Sequence, residues 1–114
     1  MLKRQNDARD PVILVVTTFP NSEVAGQIGT QLVESQLVAC VNMIPGVTSI
    51  YRWRGKVENE SEVIGLIKTT QDQLVHVEAW LQENHPYDEP EMLVLDVAAG
   101  SKGYLDWVTE QISG

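Results

Sequence analysis

The hydrophobic and polar positions of the chain are most informative between residues 39 and 70, where β-branched and aromatic side chains are dense. Such side chains favour a pleated, half-buried sheet surface. They are Val41, Ile44, Val47, Ile50, Tyr51, Trp53, Val57, Val63, Ile64 and Ile67. The pattern predicts two long strands that fold back on each other near Gly55 and form the centre of a sheet. Pro45-Gly46 interrupts the first strand, which predicts a kink there because proline cannot donate to the sheet.

Two shorter patterns precede this hairpin. Residues 12–18 form an uninterrupted apolar run after Pro11, which predicts a strand that is covered on both faces or lies in the middle of the sheet. Apolar residues then recur at helical spacing from Val24 to Val33, which predicts an amphipathic helix of about 15 residues. Ser22 is its predicted N-cap.

Four elements are predicted behind the hairpin. Thr70 and Gln73 have capping-box spacing for a helix over residues 71–84. A stiff loop with two prolines follows, His85-Pro-Tyr-Asp-Glu-Pro-Glu91, because proline cannot continue the helix. Residues 92–98 predict a further strand, and apolar positions near a spacing of four predict a short helix at the end of the chain.

The resulting order is βαββαβ followed by a short helix. This order predicts an α+β, ferredoxin-like fold with one antiparallel sheet and both long helices on one of its faces. The other face of such a sheet needs a partner, and Tyr51, Trp53 and Trp107 add apolar surface, so we predict a homo-oligomer. Residues 1–10 show no periodicity and are predicted to be a flexible N-terminal arm before a single domain over residues 11–114.

Composition and charge exclude several classes of protein. The chain carries 16 acidic residues against 8 Lys and Arg, a net charge of -8, which argues against a nucleic-acid partner. The single cysteine, Cys40, excludes an internal disulfide and suits a reducing compartment. No apolar run has transmembrane length and no signal-peptide core is present, so we predict a cytoplasmic protein without a membrane partner. Phosphate-binding loops and GxSxG elbows are absent, and we predict no enzyme activity.

The charged residues of the predicted hairpin fall into two sets at alternating positions. Side chains alternate between the faces of a strand, so each set is predicted to share one face. The sets are the cations Arg52, Arg54 and Lys56 and the carboxylates Glu58, Glu60 and Glu62. Pairing about Gly55 would place a positive row beside a negative row, with roughly 0.2–1 kcal/mol per pair. The alternative is an anion site built on the three cations.

Few residues could bind a soft or borderline metal ion. Such metals need three or four converging ligands, preferably imidazole or thiolate, and neither CxxC nor HxxxH occurs. His76 and His85 are nine residues apart and would lie on opposite sides of a continuous helix. His85 either caps the end of the predicted helix or acts as a metal ligand. Cys40 lies in an apolar strand and is predicted to be a buried thiol, with metal ligation as the alternative.

Lys68 is a lone cation among apolar strand residues. We predict that it lies in a cleft between subunits, where it either pairs with a carboxylate or binds a small anion.

Several sequence blocks resemble the signature blocks of the CutA divalent-cation tolerance family. In chain order they are Ala39-Cys-Val-Asn, Ile44-Pro-Gly-Val-Thr-Ser-Ile-Tyr, Trp53-Arg-Gly-Lys, Glu62-Val, Leu66-Ile-Lys-Thr, His85-Pro-Tyr, Pro90-Glu and Tyr104-Leu-Asp-Trp. The resemblance implies a homotrimer of ferredoxin-like subunits, similar in architecture to PII signalling trimers, whose hairpins reach neighbouring subunits.

The resemblance also implies a role in tolerance of copper and other divalent cations, with Cu²⁺ or another divalent cation bound weakly and no cofactor required. Some members that bind copper carry a cysteine near the end of the first strand and a second histidine before His-Pro-Tyr. Those positions are Thr17 and Asn84 here, so only His85 matches a ligand. The alternatives are a PII-like sensor with an anionic ligand in clefts near Lys68 and the hairpin cations, or a scaffold for another protein.

Overall fold

The computed structural model describes residues 1–112 of the chain. Within that range the chain forms strands β1 to β6, helices α1 to α3 and one turn of 3₁₀ helix. Their bounds are β1 Leu2–Arg4, β2 Val12–Phe19, α1 Ser22–Glu34, β3 Cys40–Trp53, β4 Lys56–Thr70, the 3₁₀ turn Gln71–Gln73, α2 Leu74–Asn84, β5 Leu93–Asp96, β6 Ala99–Ser101 and α3 Lys102–Glu110. The predicted strands and helices are therefore present in the predicted order, with β1 and β6 as additions.

The main sheet has four antiparallel strands in the order β3-β4-β2-β5. The apolar strand β2 lies in its interior, as its uninterrupted apolar run predicts. The hairpin does not occupy the centre as a whole, because β4 is interior while β3 forms an edge. The molecule is thus an α+β protein with antiparallel strands.

One face of the sheet carries the hydrophobic core. Alternate residues of β2 and β4 point to this face and pack against the apolar stripes of α1 and α2. The fully or almost fully buried members are Ile13, Val15, Phe19, Ala25, Ile28, Leu32, Val38, Val63, Ile67, Val77 and Leu81. Both long helices therefore cover the same face, as predicted.

The opposite face, which we call the open face, is covered only in part. Its residues include Leu14, Val16, Cys40, Ile44, Ile64, Leu66, Lys68, Leu93 and Leu95 by their register positions. Helix α3 packs over one end of it, where Leu105 and Val108 bury against Val12 and Ala39. Away from α3 the apolar side chains are exposed or half-buried, and Leu93 retains 58% of its surface.

Gly65 allows β4 to pack tightly against the end of β2. A Cβ atom at this position would lie 2.6 Å from Cε2 of Phe19 and 3.2 Å from Cγ2 of Thr17. Contacts under 3.0 Å are essentially never observed for real Cβ atoms. The Phe19 ring therefore occupies the space that any larger residue at position 65 would need.

The long hairpin closes in a two-residue turn at Arg54 and Gly55, which both have positive φ, 51° and 80°. Positive φ at both central residues characterises the type I′ turn that matches the twist of paired strands. A register shift lies between Ile44 and Val47, where Pro45-Gly46 predicted a kink. We call residues 47–62, beyond this shift, the hairpin arm.

The helix starts differ from the predicted ones in detail. Asn21 rather than Ser22 caps α1, because its Oδ1 accepts a 2.8 Å hydrogen bond from the Val24 amide. The capping box predicted at Thr70 and Gln73 does not form. The chain makes a 3₁₀ turn there, and Asp10 accepts a hydrogen bond from the Asp72 amide instead.

Residues 1–10 are not the loose arm that their irregular sequence predicted. Strand β1 pairs with β6 in a separate two-stranded sheet. Gln5 is buried, and its side chain exchanges hydrogen bonds of 2.8 and 2.9 Å with the backbone of Val12 and donates a further one to the carbonyl of Val97. A single amide side chain thereby joins the N-terminal segment to β2 and to the end of β5.

Candidate metal-binding and ligand-binding sites

His85 lies at the end of α2 with only 6% of its surface exposed. Its Nδ1 accepts a 3.1 Å hydrogen bond from the backbone N–H of Tyr87. Nε2 must then carry the proton of the neutral ring, and it donates to the carbonyl oxygen of Thr18 at 2.7 Å. The ring also stacks on Phe19, with centroids 5.5 Å apart. The ring of His85 therefore has a structural role, but it differs from the predicted capping of its own helix, because the ring donates to a carbonyl of β2.

The same hydrogen bonds affect whether His85 can bind a metal ion. A metal ion binds the lone pair of a ring nitrogen, and the only lone pair of this neutral tautomer already accepts the Tyr87 N–H. Cys40 is too far from His85 to bind the same metal ion. On β4, Lys68 is the register partner of Cys40, and Ile64 is the partner of Thr18, which contacts His85. These two β4 positions are four residues apart, or about 13 Å. The structure does not bring these two predicted metal ligands together within one chain.

Tyr87 connects this histidine to the hairpin arm. Its hydroxyl donates a 2.7 Å hydrogen bond to Oε2 of Glu62, and its ring lies 4.8 Å from the imidazole of His85. Burial, reinforced by the hydrogen bond and charge of Glu62, raises the pKa of Tyr87 above its ordinary value. The phenol therefore stays protonated and remains a hydrogen-bond donor across the neutral range.

The positive row predicted for the hairpin does not form, so no positive row lies beside the carboxylates. Trp53 pairs with Lys56 and Arg52 pairs with Val57, which places Arg52 and Lys56 on opposite faces. The reason is the turn, since Arg54 and Gly55 use two residues to reverse the chain and reset the alternation. Arg54 itself lies in the turn, where its guanidinium is 5.5 Å from the Trp53 ring centroid. The anion site predicted on these three cations is not assembled within one chain.

The three carboxylates of the arm do share one face. Glu58 is the register partner of Tyr51, and Glu60 and Glu62 follow at alternate positions on the same side of β4. Partial desolvation and the charges of these carboxylates raise the pKa of Tyr51. Within residues 1–112 the single ion pair joins Lys102 and Asp106, at 2.7 Å. The carboxylate row is therefore not neutralised by cations of its own chain.

Lys68 lies on the open face beside α3. Its Nζ is 5.3 Å from the ring centroid of Tyr104, a cation–π contact, and no carboxylate lies within 4 Å of it in the part of the chain described. Arg52 is far from Lys68. Its register partner Val57 lies 11 residues from Lys68 along β4, which corresponds to about 36 Å. A ligand cleft with Lys68 and the arm cations would need more than one copy of the chain.

Cys40 differs from the buried thiol that was predicted. It is half-buried at the start of β3, with its Sγ 3.7 Å from Oδ1 of Asn42. Its register position opposite Lys68 places it on the open face. The structure contains no cluster of three or more His, Cys, Asp or Glu side chains that could hold a metal ion between residues 1 and 112.

Three buried polar side chains have positions that no sequence pattern predicted. Gln5 joins three backbone segments, and the hydroxyls of Thr17 and Thr70 are buried with no hydrogen-bond partner among the described residues. Thr17 occupies the position where some copper-binding proteins of the resembled family carry cysteine. It lies on the core face beneath the helices, so even a cysteine there would lie apart from the open face.

Comparison with known proteins assigns the chain to a family. A family model described as CutA1 divalent ion tolerance protein matches residues 13–111. This chain belongs to the CutA family. The match begins within β2, so β1 and Gln5 lie outside the residues that the family model matches.

Two curated CutA relatives show the range of the similarity. The divalent-cation tolerance protein CutA of Thermus thermophilus is 44% identical over 97 residues, which cover 85% of this chain and 94% of the relative. Human protein CutA is 43% identical over 99 residues, which cover 84% of this chain and 55% of the relative. The chain therefore spans most of the bacterial relative and about half of the human one.

Solved CutA structures agree with the fold. CutA from Synechococcus elongatus superposes with a TM-score of 0.91 at 38% identity and covers 99% of this chain and 96% of its own. CutA1 from Oryza sativa gives 0.88 at 35% identity, with 90% and 94% covered. None of the helices between residues 1 and 112 is long and apolar enough to span a membrane, and the cellular location stays a prediction.

Proposed function

We propose that this CutA protein acts as a homotrimer in divalent-cation tolerance and binds cations weakly at its acidic surface. The observation that carries the proposal is the row of Glu58, Glu60 and Glu62 along one face of the arm, without a neutralising cation in the described chain. The bacterial relative is named for divalent-cation tolerance, and the net charge of -8 raises the local concentration of cations.

The chain order β2-α1-β3-β4-α2-β5 with sheet order β3-β4-β2-β5 supports a ferredoxin-like arrangement. In that arrangement the helices cover one face and leave the other to a partner. The open face has the exposed apolar side chains that such a partner would bury, including Ile44, Leu93 and Leu95. Self-association of the open face is therefore the proposed basis of the homotrimer.

The type of cation follows from the ligand atoms. Carboxylate oxygens suit hard cations such as Mn²⁺ and Mg²⁺, whereas Cu²⁺ prefers imidazole. We propose the arm carboxylates as the weak site for hard cations. Copper binding at His85 is the second part of the proposal, and it requires the metal to displace the Tyr87 N–H from Nδ1.

The test of the carboxylate site is a calorimetric titration of Mn²⁺ into the wild-type protein and two double variants. E58Q/E60Q removes two charges from the row, and E78Q/E83Q removes two charges from the exposed surface of α2. The proposal predicts weak, saturable binding that is reduced several-fold in the first variant and retained in the second. If both variants lost the same affinity for Mn²⁺, the binding would be due to general surface charge and the carboxylate site would be refuted. Absence of saturable Mn²⁺ binding in the wild type would also refute the site.

Lys68 favours a second candidate function, a sensor that binds a small anion. Its ammonium group is half-buried beside Tyr104 without a carboxylate partner in the described chain, which would suit an anionic ligand once neighbouring copies enclose it. A thermal-shift screen distinguishes the two functions. Stabilisation by nucleotides or organic acids that is lost in K68M, without stabilisation by metals, would favour the sensor.

A further inference from the structure

The hairpin arm leaves the body of the protein at a defined point. The last register pair of β2 and β4 is Phe19 with Val63, and the first pair of β3 and β4 beyond the register shift is Val47 with Glu62. Outward from Glu62 the arm is a two-stranded ribbon without a third strand. Isolated ribbons of this kind are marginally stable in water, so the orientation of the arm depends on contacts at its base.

Tyr87 supplies such a contact at this base. It reaches from the loop between α2 and β5 and donates its hydroxyl proton to Glu62 at 2.7 Å. The loop that carries it is itself fixed, because His85 binds the Tyr87 amide through Nδ1 and the Thr18 carbonyl through Nε2. A rigid chain of contacts therefore runs from β2 through His85 and Tyr87 to the first residue of the arm.

The outer part of the arm exposes apolar side chains on both faces. Ile50 and Val57 each retain 67% of their surface on one face, and Trp53 retains 56% on the other. Exposed aromatic and aliphatic side chains on a projecting ribbon are typical of a surface that docks on another chain. Docking is tighter when the ribbon projects at a fixed angle, since the cost of ordering a mobile ribbon would be subtracted from the binding free energy.

We propose that the Tyr87–Glu62 hydrogen bond is an anchor that fixes the angle of the hairpin arm, so that the arm is pre-organised to dock on a second copy of this chain. The docking part rests on the proposed homotrimer, whereas the anchor is a property of the single chain. Tyr87 and Glu62 act as positioning residues in this account. The anchor thereby couples the loop after α2 to assembly.

Hydrogen exchange measured by mass spectrometry tests the anchor directly. In Y87F the amides of residues 47–62 should exchange about tenfold faster than in the wild type, as expected for loss of a hydrogen bond to a charged group, while the amides of β2 keep their protection. Y51F removes a phenol from the same arm that makes no hydrogen bond in the described chain, and it should leave exchange unchanged. Unaltered exchange in Y87F, or equal acceleration in Y51F, would overturn the anchor.

Variants of Glu62 distinguish loss of the anchor from a general loss of stability. E62A should reproduce the effect of Y87F, E62Q should show a smaller effect because its amide oxygen still accepts a hydrogen bond, and the double variant Y87F/E62A should add nothing to either single variant. Additive effects, or faster exchange of β2 in step with the arm, would contradict a local anchor.

Light scattering of the same samples separates the anchor from the assembly. With a trimeric wild type, Y87F should dissociate at higher protein concentration than Y51F, and equal dissociation would contradict the role of the anchor in docking. A monomeric wild type would refute the proposed homotrimer and the docking step. The exchange comparison would still decide whether the anchor exists.

Discussion

The imidazole Nε2 of His85 lies 2.7 Å from the carbonyl oxygen of Thr18, 67 residues earlier in the chain. This hydrogen bond ties the end of α2 to the end of β2, and the stack of the imidazole on Phe19 extends the contact into the core. His85 therefore contributes to the stability of the chain whether or not it binds a metal ion.

His85→Ala is expected to lower the free energy of unfolding by about 2–4 kcal/mol, because it leaves the Thr18 carbonyl and the Tyr87 amide without their partner and opens a cavity beside Phe19. Denaturant unfolding measures the change. His76→Ala is the control, since His76 is exposed on α2 and its loss should change stability by less than about 0.5 kcal/mol. Equal stabilities of the two variants would contradict the structural role of His85.

Gly65→Ala is expected to destabilise the protein by about 1–3 kcal/mol, since the new methyl group would meet the Phe19 ring and force the core to shift. Gly26→Ala is the matched control on α1, where an added Cβ meets nothing within 4 Å. It should stabilise the helix by about 0.5–1 kcal/mol. Thermal unfolding of both variants should therefore give shifts of opposite sign, and a neutral Gly65→Ala would show that the core is less tightly packed here.

Features that depend on residues close together in the chain were predicted from the sequence, whereas features that depend on distant residues were not. Apart from β6, the helices and strands of residues 12–112 were predicted because their periodicity is local. The kink at Pro45-Gly46 was predicted because proline imposes it locally. The positions of Gln5 and His85 depend on partners up to 92 residues away, which no local pattern encodes. The prediction of a loose N-terminal arm was wrong for this reason.

The prediction of a row of three cations on one face of the hairpin was wrong for a different physical reason. The alternation rule was applied from Arg52 to Lys56 as if the strand continued, but the turn at Arg54 and Gly55 interrupts the alternation. Cys40 was predicted to be buried because its neighbours are apolar. It points to the open face, which the described chain covers only in part.

Arg54→Asn is expected to stabilise the hairpin arm by a few tenths of a kcal/mol to about 1 kcal/mol. Asn-Gly is the preferred sequence for a two-residue turn with positive φ at both positions, and arginine at φ 51° carries conformational strain. Hydrogen exchange of residues 47–62 should slow in this variant. Arg52→Asn, in the extended part of the same strand, should not slow it, and slower exchange in both variants would point to reduced charge instead of the turn.

The stability of the protein should depend on Tyr87 at alkaline pH. The pKa of Tyr87 is raised in the folded state above its ordinary value of 10.0 by burial and by Glu62, so the unfolded chain releases this proton first. The contribution of the neutral phenol is fully present below pH 10.0 and is lost as pH rises toward the folded pKa. Denaturant unfolding between pH 9 and 11 should show a steeper decline for the wild type than for Y87F. Parallel declines would contradict the raised pKa.

The most direct test of the central claim is a calorimetric titration of Cu²⁺ into the purified protein beside His85→Gln, a variant that can still donate a hydrogen bond to the Thr18 carbonyl. The account predicts a light-scattering mass of three times the 12.7 kDa chain and saturable copper binding that is weakened at least several-fold in the variant. Saturable binding that is identical in both proteins would exclude His85 as the ligand. Weak, non-saturating heats in both would contradict copper binding at a defined site.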